Sequence, residues 1–213
     1  MTTAQRLTDF FCIAEKLETE KRLTRTSSGD NQVVAAHSWN MAIMALATKP
    51  YLTHAVNMER VLELCLLHDL PEAIAHDIPL HEQTESIKKQ KYINEQHAVD
   101  TIISLLQDDL IKSRFDEYEV KQTPEARLVK LLDVLDTGIQ HMCAKDLAYV
   151  TKYDNGFYWK LFFSNKFMTA FDYEPVLREI YDEIRDRVEN RLINEQNLDL
   201  NDFIDRGEND AQI

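Results

Sequence analysis

Only four glycines and five prolines punctuate these 213 residues, so there are few places where the backbone can turn sharply. Between the breaks, stretches rich in Leu, Ala, Glu, Lys, Gln and Arg put apolar residues three and four positions apart, the spacing of helices with one buried face. The reading is an all-α chain. With 44% apolar residues it can fill one core, and no repeat or linker divides it. One domain is expected over residues 1–197, with 198–213 a fraying acidic tail.

Residues 3–19 place Leu7, Phe10, Phe11, Ala14 and Leu17 on one helical stripe, and "KRLTRTSSGDNQ" then reads as a loop carrying Lys21, Arg22 and Arg25. The segment 33–49 is apolar almost all round and stops at Pro50, which predicts a central helix. Residues 57–68 form the next helix, and a short one after Pro71 reaches Asp77 and is closed by Pro79. A longer helix runs from about Thr84 to Ser113, charged at first and apolar later. "TPEARLVKLLDVLDTGIQHM" opens on Thr123 as N-cap with Pro124 in the first turn. "FYWKLFF" is an aromatic stretch suited to packing or a dimer contact, and residues 174–193 are a last amphipathic helix.

The net charge of −13 repels polyanions, so DNA and long RNA are not expected partners. A small phosphorylated ligand stays compatible, because one or two local cations and a metal ion can hold a phosphate inside an acidic protein. Cys12, Cys65 and Cys143 are odd in number and far apart, which suits reduced, buried thiols rather than a disulfide framework. No signal-like or membrane-length apolar run is present in the sequence, so a soluble cytoplasmic protein with no membrane partner is expected.

Polar residues inside the apolar helices carry the functional signal. His68-Asp69 follows "LCLL", where an unpartnered carboxylate is costly to bury. Two readings fit: a divalent ion takes imidazole and carboxylate as ligands, or Asp69, Pro71 and Glu72 make a D-x-x-E capping box. His37 sits within the apolar helix at 33–49, and Asp133 lies about 100° round its helix from the core residue Leu132. The three positions together favour the metal, with Asp136, one turn on, as the alternative fourth ligand.

This order, His37, His68-Asp69 and Asp133, resembles the HD superfamily of metal-dependent phosphohydrolases, over about residues 20–140. The closer likeness is to the bacterial 5'-deoxynucleotidase branch, in which a glutamate and a turn like "HDIP" follow the pair, here Glu72 and residues 76–79. The resemblance implies a single HD-domain helical bundle and one divalent ion (Mn, Co, Fe, Zn or Mg) on His37, His68, Asp69 and Asp133. It implies Glu72 for acid–base work, Asp77 facing the sugar, and Arg22 orienting the phosphate. His76 stands where the branch often has glycine and is not a ligand. Leu23 and Ala36 replace the branch's usual tryptophan and glutamate, so weaker preference between deoxyribose and ribose is expected. His54, His81, His97 and His141 are assigned to surface or core, and "KKQKY" at 88–92 to a solvated helix face. A homodimer is expected, since such proteins commonly dimerise.

The expected activity is hydrolysis of nucleoside 5'-monophosphates. One arginine and one divalent ion balance a monophosphate, whereas a triphosphate brings about four charges and calls for more cations than Lys21, Arg22 and Arg25 supply. The competing readings are an HD hydrolase of nucleoside triphosphates or guanosine tetraphosphate, and a non-enzymatic HD-like signalling module.

Overall fold

Helix α7 (Pro124–Cys143) is the axis of the molecule in the computed structural model, which describes residues 1–79, 82–149 and 157–197. Its start is as anticipated: the Thr123 side chain accepts from Ala126 N, and Pro124 occupies the first turn. Its apolar stripe buries Leu128, Leu132 and Leu135 against helices α2 (Val34–Thr48), α3 (Met58–Leu67) and α10 (Pro175–Gln196). A smaller cluster, centred on Leu17, Val34, Leu70 and Ile102, lies where α1 (Thr3–Glu15), α4 (Glu72–Ala75) and α5 (Glu85–Leu106) meet. Helices α6 (Leu110–Val120), α8 (Phe157–Phe162) and α9 (Asn165–Ala170) complete the described bundle. None of its helices is long and apolar enough to cross a membrane.

Several local expectations change. The segment read as a loop at 21–32 is a hairpin: β1 (Lys21–Arg25) pairs antiparallel with β2 (Asn31–Val33), Lys21 opposite Val33 and Arg25 opposite Asn31. Its turn is closed by Thr26 N to Asp30 O at 2.8 Å and needs Gly29, whose φ is 95. The strands are too short for an alternating pattern to stand out. The helix expected over 84–113 breaks at Gln107, which takes a left-handed φ of 56, and a second helix follows. Helix α1 buries none of its residues: Leu7 and Phe11 are exposed, and only Leu17, in the turn beyond it, is in the core. Helix α2 is buried on one side only, with Trp39, Ile43 and Leu46 exposed on the other. Cys65 is buried but Cys12 and Cys143 are exposed; all three are free thiols. The acidic tail at 198–213 and His81 lie outside the described residues.

Candidate active site

Helices α2, α3 and α7 deliver one group each to a common point beneath the hairpin. His37 is fully buried on α2, and its Nδ1 lies 2.7 Å from Asp136 Oδ2. His68 caps the end of α3, its Nδ1 3.1 Å from the Cys65 carbonyl oxygen. A carboxylate and a carbonyl accept, so Nδ1 of each imidazole keeps its proton and Nε2 is the nitrogen that can offer a lone pair to a cation. Both Nε2 atoms are buried without a hydrogen-bond partner. They face Asp69, whose Oδ2 is 3.2 Å from His68 Nε2 and 3.7 Å from His37 Nε2. Ligand atoms of His37, His68 and Asp69 all lie within 4.8 Å of one another.

Asp133 borders this group. Its Oδ1 is 3.3 Å from His37 Nε2, while Oδ2 accepts from Tyr118 at 3.1 Å and Lys130 at 2.8 Å. Asp136 does not join it. Oδ2 accepts from Gln32 as well as from His37, and Oδ1 accepts from Asn40 at 2.7 Å, so this carboxylate orients the imidazole from behind. Asp136 is therefore an orienting residue rather than the alternative fourth ligand. The capping-box reading also fails: α4 has no side-chain cap, because Asp69 bonds Arg22 and Glu72 bonds Lys91.

Arg22, on β1, reaches across with its guanidinium 3.3 Å from Asp69 and 3.8 Å from Asp133. Burial works against its charge, but those carboxylates outweigh it and hold its pKa above the usual arginine value. Burial likewise opposes ionisation of Asp69 and Asp133. His68, His37 and Arg22 hold Asp69 below the carboxylate range, and Lys130, His37 and Arg22 hold Asp133 there. Glu72 goes the other way: burial, Asp69 and Asp77 push it well up, against the pull of Lys91 and Arg22. Asp77 is also raised, chiefly by burial. Carboxyls driven apart in one site suit division into permanently charged groups and a proton carrier.

These groups open into a cavity of about 200 Å³. Arg22, Asp69, Glu72, Asp77 and Asp133 line one side, and Leu161, Phe162 and Phe167 contribute apolar surface on the other. The aromatic stretch thus packs inward: Phe162 is buried and its carbonyl accepts from the Tyr181 hydroxyl, while the side chains of Phe157 and Trp159 lie outside the described residues. Leu23 also borders the cavity. Beside Asp77, His76 takes a φ of 65, a value that favours glycine, and Glu20 secures the turn through His76 Nδ1 at 3.0 Å and Asp77 N at 3.1 Å. His76 is exposed and away from the metal-type group, as are His54 and His97.

Sequence reasoning missed Lys91. It stands in the run read as a solvated face, yet it is half-buried and bridges Glu72 at 3.2 Å and Glu95 at 2.7 Å. Only its i,i+4 spacing to Glu95 was visible, and nothing local indicated Glu72.

The donor set fits a divalent ion. Two oriented imidazole lone pairs and carboxylates converge, and without a cation the buried Nε2 atoms lack partners. Fold and site together define a helical bundle with a buried His/Asp centre that opens into a pocket lined by Arg22, Asp69, Glu72, Asp77 and Asp133. The HD-domain family matches residues 14–161, and the chain belongs to that family. It is 39% identical over 110 residues to 5'-deoxynucleotidase HDDC2 of Danio rerio, covering 50% of this chain and 52% of that protein. The human protein of the same name is 33% identical over 119 residues, covering 54% and 56%. The chain thus spans about half the length of the curated relatives it matches. A crystal structure from Magnetospirillum magnetotacticum, described as a predicted metal-dependent phosphohydrolase, shares the fold with a TM-score of 0.74 at 24% identity, over 88% of this chain and 93% of that one. A conserved hypothetical protein of Pyrococcus furiosus superposes with a TM-score of 0.60 at 26% identity, over 84% and 99%.

Proposed function

We propose that this chain is a cytoplasmic metal-dependent phosphomonoesterase, 5'-nucleotidase-like, that hydrolyses nucleoside 5'-monophosphates to nucleoside and phosphate. The observation that carries the reading is the pair of buried imidazoles whose Nε2 lone pairs are aimed at Asp69 on the floor of a pocket holding Arg22 and Glu72. The names of the relatives support the substrate class, and the free thiols suit a reducing compartment.

His37, His68, Asp69 and Asp133 would hold the ion. A divalent cation supplies Lewis acidity there, making water more acidic and offsetting charge on phosphoryl oxygens. Arg22 binds the phosphate: its planar fork pairs with two oxygens at once, and it already lies among the carboxylates that flank the reacting group. Glu72 takes a proton from the attacking water and returns it to the departing 5' oxygen. Its Oε1 is fixed by Lys91, its Oε2 is buried with no partner among the described residues, and burial beside Asp69 and Asp77 raises its pKa, which suits a proton carrier. Asp77 receives a sugar hydroxyl, and Leu23 leaves room for either sugar. The chain forms a homodimer through the outer stripe of α2, where Trp39, Ile43 and Leu46 are exposed, since Tyr158, Leu161 and Phe162 of the aromatic stretch face the cavity.

The test is phosphate release from nucleoside mono-, di- and triphosphates, with Mn, Co, Mg or Zn and after metal removal. Monophosphates should yield phosphate only when a metal is supplied. Arg22→Ala should lower turnover by roughly 10²-fold while metal stoichiometry is unchanged. Release of triphosphate from dNTPs with monophosphates inert would overturn the reading.

A further inference from the structure

A second cavity, of about 270 Å³, shares Lys130 with the active-site pocket but differs in character. Lys121, Arg127 and Lys130 frame it, Leu131, Ala170 and Tyr173 supply its remaining walls, and no carboxylate is among these residues. In a chain of net charge −13 such a concavity needs an account. Many other cations are ion-paired, along their own helix as Lys112 is with Asp116 and Arg191 with Glu195, or across elements as Arg60 is with Glu117. Lys121 and Arg127 make no ion pair among the described residues. Lys121 Nζ lies 5.2 Å from the Tyr118 ring centre, and the Arg127 guanidinium 5.5 Å from that of Tyr173. Lys121 ends α6 at a left-handed φ of 54, and burial lowers its pKa, with Lys130 adding to the effect and Glu119 and Asp133 opposing it. Glu174, next to Tyr173, is no counter-charge here: its carboxylate is buried and bound to Thr53 and His54.

We propose that this cavity binds a small organophosphate dianion, separately from the catalytic pocket, and that its occupant acts on the metal centre through Lys130. Two cations without carboxylate partners match a phosphoryl group, and the apolar walls favour one attached to an apolar body over inorganic phosphate. Lys130 is the link because its Nζ donates to Asp133 Oδ2 at 2.8 Å, the oxygen that Tyr118 also bonds. An anion that draws Lys130 away leaves more negative charge on Asp133, so a cation at His37, His68 and Asp69 is held more tightly. Linkage makes the effect reciprocal. The coupling rests on the metal-centre reading; the anion site does not.

Phenylphosphonate, which has no hydrolysable ester, is the probe, titrated calorimetrically into the full chain stripped of metal. Arg22→Ala, which removes phosphate binding in the catalytic pocket, should still show one saturable site, tighter than for inorganic phosphate. Adding Lys121→Asn, which tolerates the left-handed backbone, and Arg127→Gln should weaken it by about tenfold or more. No saturable binding to Arg22→Ala, or equal binding when the two substitutions are added, overturns the anion site. In Arg22→Ala saturated with phenylphosphonate, Mn2+ should bind roughly fivefold tighter. Unchanged Mn2+ affinity overturns the coupling. Absence of any Mn2+ binding overturns the coupling together with the metal-centre reading, and the metal-free titration still decides the anion site.

Discussion

An imidazole can offer a lone pair in a fixed direction only if its other nitrogen is already committed. Asp136 does this for His37 and the Cys65 carbonyl for His68, and the Asp136 carboxylate is itself held by Gln32 and Asn40. Lys91 plays the corresponding part for Glu72. Lys91→Met should therefore reduce kcat by about tenfold with little change in KM, and displace the acidic limb of the pH–rate profile, which stopped-flow or steady-state phosphate assays would register. His141 answers to pH in a different way. Burial pushes its imidazole down to about 4 from 6.5, so the unfolded chain takes up the proton first as pH falls. That contribution to stability is intact above pH 6.5 and is lost as pH drops toward 4, by an amount on the order of 3 kcal/mol. Denaturant titrations of His141→Asn, whose amide can still bond the Tyr149 hydroxyl, should show a flatter pH dependence over that interval.

Among the elements, α7 is the most demanding because neighbours press on it from several sides. Gly138 lies where α7 meets Phe162 and α10: a Cβ there would stand 2.7 Å from Phe162 Cζ and 2.9 Å from Ile184 Cγ2. Both neighbours are buried, so neither can swing into solvent. Gly138→Ala gains helix propensity of about 1 kcal/mol but overpacks the junction by roughly 1–3 kcal/mol. A lowered thermal midpoint is expected; a raised one would show that the junction relaxes freely. The hairpin matters for another reason. Arg22 works from a strand whose partner leads directly into α2, so the guanidinium and His37 are positioned by one continuous piece of backbone.

At the scale of the whole molecule, the outer stripe of α2 presents Trp39, Ile43 and Leu46, at positions that share one helical face. Large apolar side chains grouped on a surface mark a contact site more often than chance exposure does. Sedimentation of the wild type should give twice the 24.9 kDa chain mass, and Trp39→Lys should give the monomer with activity retained. A monomeric wild type at micromolar concentration would remove the dimer.

The sequence by itself determined the helical class, because scarce glycine and proline and a 3.6-residue apolar rhythm leave little else to form. It also marked His37, His68, Asp69 and Asp133, since a polar group set in an apolar helix has a desolvation cost that some partner must offset. Neighbours in space were beyond it. Periodicity reports which face of a helix is buried, not which side chain of another helix meets it, so Lys91 beside Glu72 and the cage around Asp136 came only with the fold. The hairpin and the break at Gln107 were hidden for a related reason. Their backbone geometry is sustained by turn hydrogen bonds and packing rather than by residues that demand it, apart from Gly29. Tertiary structure alone decided that three separate helices converge beneath one arginine, because that depends on how the faces pack, which no single segment encodes.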